Sequence, residues 1–427
     1  MSNVEHLIGI SGGKDSCALA IYLNNRYPDM DFTYYSADTG KELAETYTLI
    51  DQLEKELEKP IKILTSIDYE NQNLDSIFDY YLEQYDNYLP STMARWCTKK
   101  MKILPFEQYV ADRPTISYVG IRGDEDREGY ISTKPHIQSI FPFRKNIWSI
   151  DVIKRFIKAD KAFLLDQYSK ILEGDKLSKI EEILNRTLNF TFTQEKKVDA
   201  LLDVDIKAFN KVVFEFLKTT ELPVGQLNYF PLVENDEVLV RDDIFEIINQ
   251  SVVDLPAYYK PLPYEVDGEK GQYSRSRSGC FFCFYQQKIE WVWLLEQHPK
   301  LFKKAMEYEK TGYSWVHSES LEELSHPKRV EAIKREHLKR MKAKYKNLKK
   351  ETDWQDNILG VDNSKDTDNE RSLFTFLDID ESFSFKRFYN DTIAGVTTSE
   401  TYNLSYVFDY IHEHYYYVIS SKTKYNS

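Results

Sequence analysis

Two groups of residues in this sequence have the types and spacing to carry chemistry. One is a glycine–lysine loop near the N-terminus, Ser11-Gly12-Gly13-Lys14-Asp15-Ser16. The other is a set of cysteines dominated by the pair Cys280 and Cys283. Adjacent glycines let a backbone approach an anion closely and adopt φ values that other residues resist. Loop amides and the N-terminus of a following helix then aim donors and a positive dipole at a phosphate. Lys14 adds a point charge, Ser11 and Ser16 add hydroxyl donors, and Asp15 is placed to hold a magnesium ion or to orient the loop. The spacing is neither GxxxxGK[ST] nor GxGxxG. The plainer alternative is a glycine turn with a helix N-cap at Ser11 or Ser16.

The chain has four cysteines, Cys17, Cys97, Cys280 and Cys283. So few, with one close pair, point to metal or redox chemistry rather than a disulfide framework. A CxxC pair binds zinc, binds an iron–sulfur cluster or cycles as a dithiol. Cys97, Cys280 and Cys283 together would ligate three irons of a [4Fe–4S] cluster and leave one iron open. A structural Zn²⁺ is the rival and needs a fourth ligand, for which His298 is the candidate. Cys17 reads as a small buried helix residue.

The elements that must position these groups alternate. Val4–Ile10, Asp31–Ala37, Ile61–Thr65 and Ile116–Ile121 read as strands. Cys17–Asn25 and Glu42–Leu57 read as helices. Strands separated by helices imply parallel pairing and an α/β, doubly wound, mainly parallel sheet. Ligands on such a sheet sit beyond the carboxyl ends of its strands. The phosphate loop, Asp38 and Gly120–Arg122 each follow an expected strand, so they should gather there. Arg122 and Arg127 would neutralise phosphate or sulfate, or else simply pair with Asp124, Glu125 or Glu128.

The loop resembles that of the PP-loop ATP pyrophosphatases, which imply an adenine nucleotide alpha-hydrolase-like fold and cleavage of ATP at its α-phosphate. Further blocks resemble the phosphoadenosine phosphosulfate (PAPS) reductase branch: Asp38-Thr39-Gly40; Arg95-Trp96-Cys97-Thr98 with Lys102 and Pro105; Gly120-Ile121-Arg122 with Asp124, Glu125 and Arg127; and Phe141-Pro142, Trp148 and Asp151-Val152. The later block Gly279-Cys280-Phe281-Phe282-Cys283, with Trp291, His298-Pro299, Leu301-Phe302 and Glu309, resembles the DndC-like proteins of DNA phosphorothioation. That resemblance implies ATP bound at Ser11–Ser16, Asp38, Gly120 and Arg122. It also implies Mg²⁺ on the pyrophosphate, catalytic roles for Lys14, Asp15, Arg122 and Arg127, and a [4Fe–4S] cluster on Cys97, Cys280 and Cys283. The partners it implies are DNA, a cysteine desulfurase and other modification subunits. Two departures stand out: Asp126 replaces a serine common in the branch, and no cysteine follows Cys283, which argues against thioredoxin-linked sulfonucleotide reduction.

The chain has 427 residues and a net charge of −13, with no apolar run near the roughly 20 residues of a membrane span. A cytoplasmic protein is expected, without a global positive field for nucleic acid. Lys328–Lys350 is a local exception, a basic helix that would track a DNA backbone or else form a solvated face. The expected organisation is a PP-loop nucleotide-binding core over 1–159, a helical insertion over 160–241, and a cysteine-containing completion of the core over 242–312. A C-terminal extension follows over 313–427, with the basic helix, an Asp/Asn-rich linker and a Tyr-rich end. The function expected is an adenylating sulfurtransferase acting on DNA. The alternatives are a sulfonucleotide reductase-like enzyme and a nucleotide-sensing subunit of a phage-defence complex.

Overall fold

Leu7, Ile8, Phe32, Tyr34, Ile116, Tyr118 and Ile140 are buried on a central sheet and account for its strands: these short runs carry apolar side chains on both faces. The computed structural model describes residues 4–66, 76–310, 312–317 and 319–359. All of these residues belong to one unit of the chain.

Five parallel strands, β1 (Glu5–Gly9), β2 (Phe32–Ala37), β3 (Ile61–Leu64), β4 (Thr115–Tyr118) and β5 (Ile137–Ile140), are ordered β3-β2-β1-β4-β5. The strand order reverses at β1, so the ends of β1 and β4 form the crevice where such sheets bind ligands. The α/β, doubly wound sheet expected from the sequence is present. Four of its strands fall where the apolar runs put them. β5 was not foreseen, because Ile137-Gln138-Ser139-Ile140 is too short and too polar to stand out. A two-stranded antiparallel ribbon, β6 (Leu262–Val266) and β7 (Glu269–Tyr273), was missed as well. Its turn, Asp267-Gly268, has φ of 52° and 73°, the conformation an Asp-Gly hairpin favours.

The helices flanking β1 to β3 are α1 (Lys14–Arg26), α2 (Ala44–Leu57) and α3 (Ile77–Gln84). The short α4 (Trp96–Thr98) runs through a π-helical turn, Lys99–Ile103, into α5 (Leu104–Val110). Then come α6 (Ile150–Phe156), α7 (Lys161–Ser169), α8 (Gly174–Asn185), α9 (Gln194–Val204), α10 (Ile206–Leu217) and α11 (Arg241–Asn249). The last four are α12 (Lys288–Gln297), α13 (Pro299–Tyr308), α14 (Leu321–Ser325) and α15 (Pro327–Leu359).

Two large apolar clusters hold most of these elements, and a small third one, Leu7, Phe106, Val110 and Ile137, packs α5 on the sheet. The first joins the sheet and α1 to the helices of residues 160–241 and to Ile244 and Ile248 of α11. The second joins α3 and Trp96 to the cysteine loop, α12, α13, and Leu321, Leu324, Ile333 and Leu338 of α14 and α15. Apolar burial of this kind contributes on the order of 1.5–3 kcal/mol per large side chain. α15 extends to Leu359, so Trp354–Leu359, expected to begin a polar linker, is helix. The rest of that linker and the Tyr-rich end lie outside the described residues. Among the described residues, no helix is long and apolar enough to cross a membrane.

Candidate functional site

The phosphate loop turns from β1 into α1 through Gly12 at φ 70°, a left-handed conformation that glycine takes without strain. Ser16 knots the loop: its hydroxyl accepts from the Ser11 amide at 3.1 Å, lies 3.0 Å from the Ser11 hydroxyl, and donates to the Gly13 carbonyl at 3.0 Å. Residues far along the chain back the loop. Tyr258 donates to the Gly12 carbonyl at 3.3 Å, Ser278 donates to the Ser11 carbonyl at 3.2 Å, and the Lys14 amide donates to the Tyr259 hydroxyl at 3.4 Å. A Cβ on Gly13 would lie 2.7 Å from the Ser278 hydroxyl oxygen, so a side chain there would displace Ser278 from the loop.

Asp15 sits between two cations, with Lys14 Nζ at 3.0 Å and Arg122 Nη1 at 2.8 Å. Burial alone would raise its carboxyl, but Lys14 and Arg122 hold it below its ordinary value. Each carboxylate oxygen of Asp15 thus lies on a cation of the loop region. Lys14 is itself buried. Arg122 is buried too and also binds Asp124 at 2.8 Å and Glu125 at 3.1 Å. Through Asp15 it ties the loop after β4 to α1. Gly120 permits that approach, since a Cβ there would lie 2.8 Å from the Asp15 carbonyl oxygen. The more exposed Arg127 pairs with Glu125 at 3.0 Å. Asp38, after β2, accepts from the Gly40 amide at 2.8 Å and the Tyr47 hydroxyl at 2.9 Å.

The loop after β2 leads directly to the cysteines. The Thr39 hydroxyl donates to Glu42 at 2.7 Å and lies 3.2 Å from Cys280 Sγ. The Phe281 amide donates to the Lys41 carbonyl at 2.8 Å. Phe282, between the paired cysteines, is wedged against Phe78 at 4.5 Å and stacked on Trp315 at 4.7 Å. Burial of the ring anchors the loop that carries the two thiols. Cys97 comes from α4, one turn before Lys102 on the π-helical turn, a helix irregularity frequent at functional sites.

Lys102 feels all three thiols. Burial would lower its ammonium, but Cys280, Glu42, Cys283 and Cys97 raise it above its ordinary value. Burial and the neighbouring Cys283 push the Cys97 thiol up to about 11. Burial and Glu42 push Cys280 up as well. Glu42 is also raised, first by burial and then by Asp38. Arg95 and Arg277 both lie over the Tyr285 ring beside this group, at 5.3 and 5.2 Å. The site is thus a thiol cluster rimmed by cations.

Cys17 stays apart, buried with the sheet and raised to about 12 by burial. His298 ends α12 and lies against Trp293 at 5.1 Å, so it does not complete a zinc set. Among the described residues, no three His, Cys, Asp or Glu side chains close on a single metal ion. Cys97, Cys280 and Cys283 are related through the ammonium of Lys102, whose pKa each of them raises; thiols are the donors that both iron–sulfur clusters and zinc take.

Several functional candidates were missed in the sequence. Lys102 and Thr39 stood inside the quoted blocks without a role. Tyr258, Tyr259 and Ser278 carry no local signal, because only the fold brings them behind the loop. Four basic residues of α15 pair with carboxylates: Arg329 with Glu319, Lys334 with Glu296, and the exposed Arg335 and Lys342 with Asp267 and Glu269. Lys328, Lys339, Arg340 and Lys346 remain exposed.

An open parallel sheet with a phosphate loop at its switch point defines a nucleotide-binding α/β protein of the PP-loop type. Residues 5–155 match the family model of the phosphoadenosine phosphosulfate reductase domain, and the sheet and loop are consistent with the PP-loop, PAPS reductase-like branch. No curated protein matches the chain.

Proposed function

We propose that this protein is an adenylating sulfurtransferase: it cleaves ATP at the α-phosphate to activate a substrate, and DNA is the sulfur acceptor. The observation that carries the reading is the direct link between the two chemistries. Thr39, in the loop next to the phosphate grip, touches Cys280, and Lys102 shares the field of all three thiols. A PP-loop enzyme that only bound or hydrolysed a nucleotide would not need thiols joined to its nucleotide loops.

In this reading a DNA phosphate oxygen attacks the α-phosphorus of ATP and pyrophosphate leaves. A sulfur nucleophile then attacks the DNA phosphorus and AMP leaves. The loop amides and helix dipole of α1 grip the pyrophosphate. Lys102, Arg95 and Arg277 neutralise the anionic acceptor. Cys97, Cys280 and Cys283 would hold a [4Fe–4S] cluster, which would supply sulfide or electrons. The resemblance to DndC-like proteins favours DNA, reached through the exposed lysines of α15, with a cysteine desulfurase as partner in the cytoplasm.

A second reading has support of its own. The matched domain family favours a sulfonucleotide as substrate, with reduction rather than adenylation.

The test begins with anaerobic purification and iron, sulfide and zinc analysis of wild type and Cys280→Ser. Iron with acid-labile sulfide, lost in the variant, is expected; stoichiometric zinc without sulfide would remove the cluster. Incubation with ATP, Mg²⁺, a sulfur donor and DNA should release pyrophosphate and leave phosphorothioate linkages detectable by mass spectrometry. Turnover of PAPS without DNA would replace the first reading by the second.

A further inference from the structure

Each cysteine of the cluster has a cationic or aromatic neighbour two or three residues away: Arg95 before Cys97, Arg277 before Cys280, and Tyr285 after Cys283. The fold brings these three neighbours together. The guanidinium of Arg95 lies 5.3 Å from the centre of the Tyr285 ring, and that of Arg277 lies 5.2 Å from it. Both distances fall within the reach of a cation–π contact. Two guanidiniums on one ring repel each other, and an anion beside them relieves that repulsion.

The place of this group in the site is set at both ends. Arg95 is exposed, while Arg277 and Tyr285 are half-buried. Arg95 donates from Nε to the Thr92 carbonyl at 3.2 Å, and its two Nη groups have no protein partner among the described residues. Burial raises the Tyr285 phenol against the pull of Arg95 and Arg277, and Cys283 and Cys97 raise it further, so the ring stands in the field of two of the three thiols. The segment of Arg277 also reaches the nucleotide grip, because the next residue, Ser278, donates to the Ser11 carbonyl at 3.2 Å. In the proposed reaction the acceptor phosphate meets the α-phosphorus of ATP and then a sulfur nucleophile. The group that holds it has to border both, and these three residues do.

We infer that Tyr285 is the positioning residue of a phosphate clamp: its ring holds Arg95 and Arg277 beside the thiols, and the clamp takes one backbone phosphate of a DNA strand. The inference rests on the reading of DNA as the acceptor. Attraction to a ring face leaves guanidinium N–H donors for an oxyanion, which a bidentate pair with a carboxylate would use up. The exposure of Arg95 opens the clamp to a phosphate that arrives as part of a long strand.

The probe is a fluorescein-labelled single-stranded oligodeoxynucleotide, titrated by anisotropy against the full chain without ATP or a sulfur donor. Tyr285→Leu should weaken binding by about tenfold, the scale of two exposed cation–π contacts. Tyr285→Phe keeps the ring and should bind within about twofold of wild type. Arg95→Gln, at an exposed position, should weaken binding and lower the slope of log Kd against log salt by about 0.7, the loss of one phosphate contact to a single strand. Tyr285→Leu should lower the same slope, which a merely structural role would not move. Equal affinity and slope in wild type, Tyr285→Leu and Arg95→Gln would overturn the clamp and leave DNA as an acceptor held elsewhere. No binding of the oligonucleotide by wild type would overturn both the clamp and the DNA acceptor. Should Tyr285→Leu not fold by circular dichroism, Arg95→Gln and Tyr285→Phe decide it.

Discussion

The hydroxyl of Thr39 lies 3.2 Å from the sulfur of Cys280, a residue 241 positions later in the chain. The same hydroxyl donates to the Glu42 carboxylate at 2.7 Å. Thr39→Val keeps the shape and removes both interactions. Loss of a hydrogen bond to a charged group costs about 1.5–3 kcal/mol. Urea unfolding should show that loss, and affinity for ATP should change less than the metal content or thiol reactivity of the cysteine loop. An unchanged thiol reactivity would mean that the two loops are not coupled through Thr39.

Gly12 leaves no room for a side chain. At φ 70° a Cβ would be strained and would collide with Thr46 Cγ2. Gly12→Ala is expected to lower ATP affinity by at least about tenfold, since a shift of the loop amides removes at least one charge-assisted hydrogen bond to phosphate. Calorimetric titration with ATP checks this, with circular dichroism to confirm that the fold survives.

Arg122 holds three carboxylates, those of Asp15, Asp124 and Glu125. Arg122→Met removes the cation they share, leaving Asp15 with Lys14 and Glu125 with Arg127, and should destabilise the protein by about 3–5 kcal/mol, the usual cost of breaking a buried ion pair. Arg122→Lys should recover part of it. A variant as stable as wild type would show that Arg122 is not the tie between the β4 loop and α1.

His337, on α15, is buried against the Tyr264 hydroxyl at 2.8 Å. Burial and then Arg340 lower it from 6.5 to about 4. Between those values the unfolded chain binds the proton and the folded chain does not. Stability is therefore retained above pH 6.5, falls as the pH drops towards 4, and levels off below. His337→Gln should flatten the dependence of the urea midpoint on pH between 6.5 and 4.5. His6, also lowered to about 4 by burial, accounts for part of the slope that remains.

Cys17 and Cys97 should behave in opposite ways. Cys17 is packed among the sheet residues. Cys17→Ala should leave iron and sulfide content unchanged and cost about 1 kcal/mol of stability as a small core truncation. Cys97→Ser should reduce bound iron with little effect on the unfolding midpoint. Equal iron loss in both variants would contradict the three-thiol site.

The sequence by itself determined the frame of this protein. The apolar runs at β1, β2, β3 and β4, separated by helical spacing, dictate a parallel sheet. The order of Ser11–Ser16, Asp38 and Gly120 then dictates what lies at its carboxyl edge. These signals are local, because periodicity and glycine conformational freedom are read within a few residues. Tertiary structure decided the rest. Arg122 is closed not only by its neighbours Asp124 and Glu125 but by Asp15, which the fold brings to it from 107 positions earlier. Tyr258, Tyr259 and Ser278 support a phosphate loop 245 to 267 positions away, and four basic residues of α15 pair with carboxylates outside it. Ion pairing and burial depend on which surfaces meet. That is set by the two large apolar clusters as a whole, and no short stretch of sequence contains it.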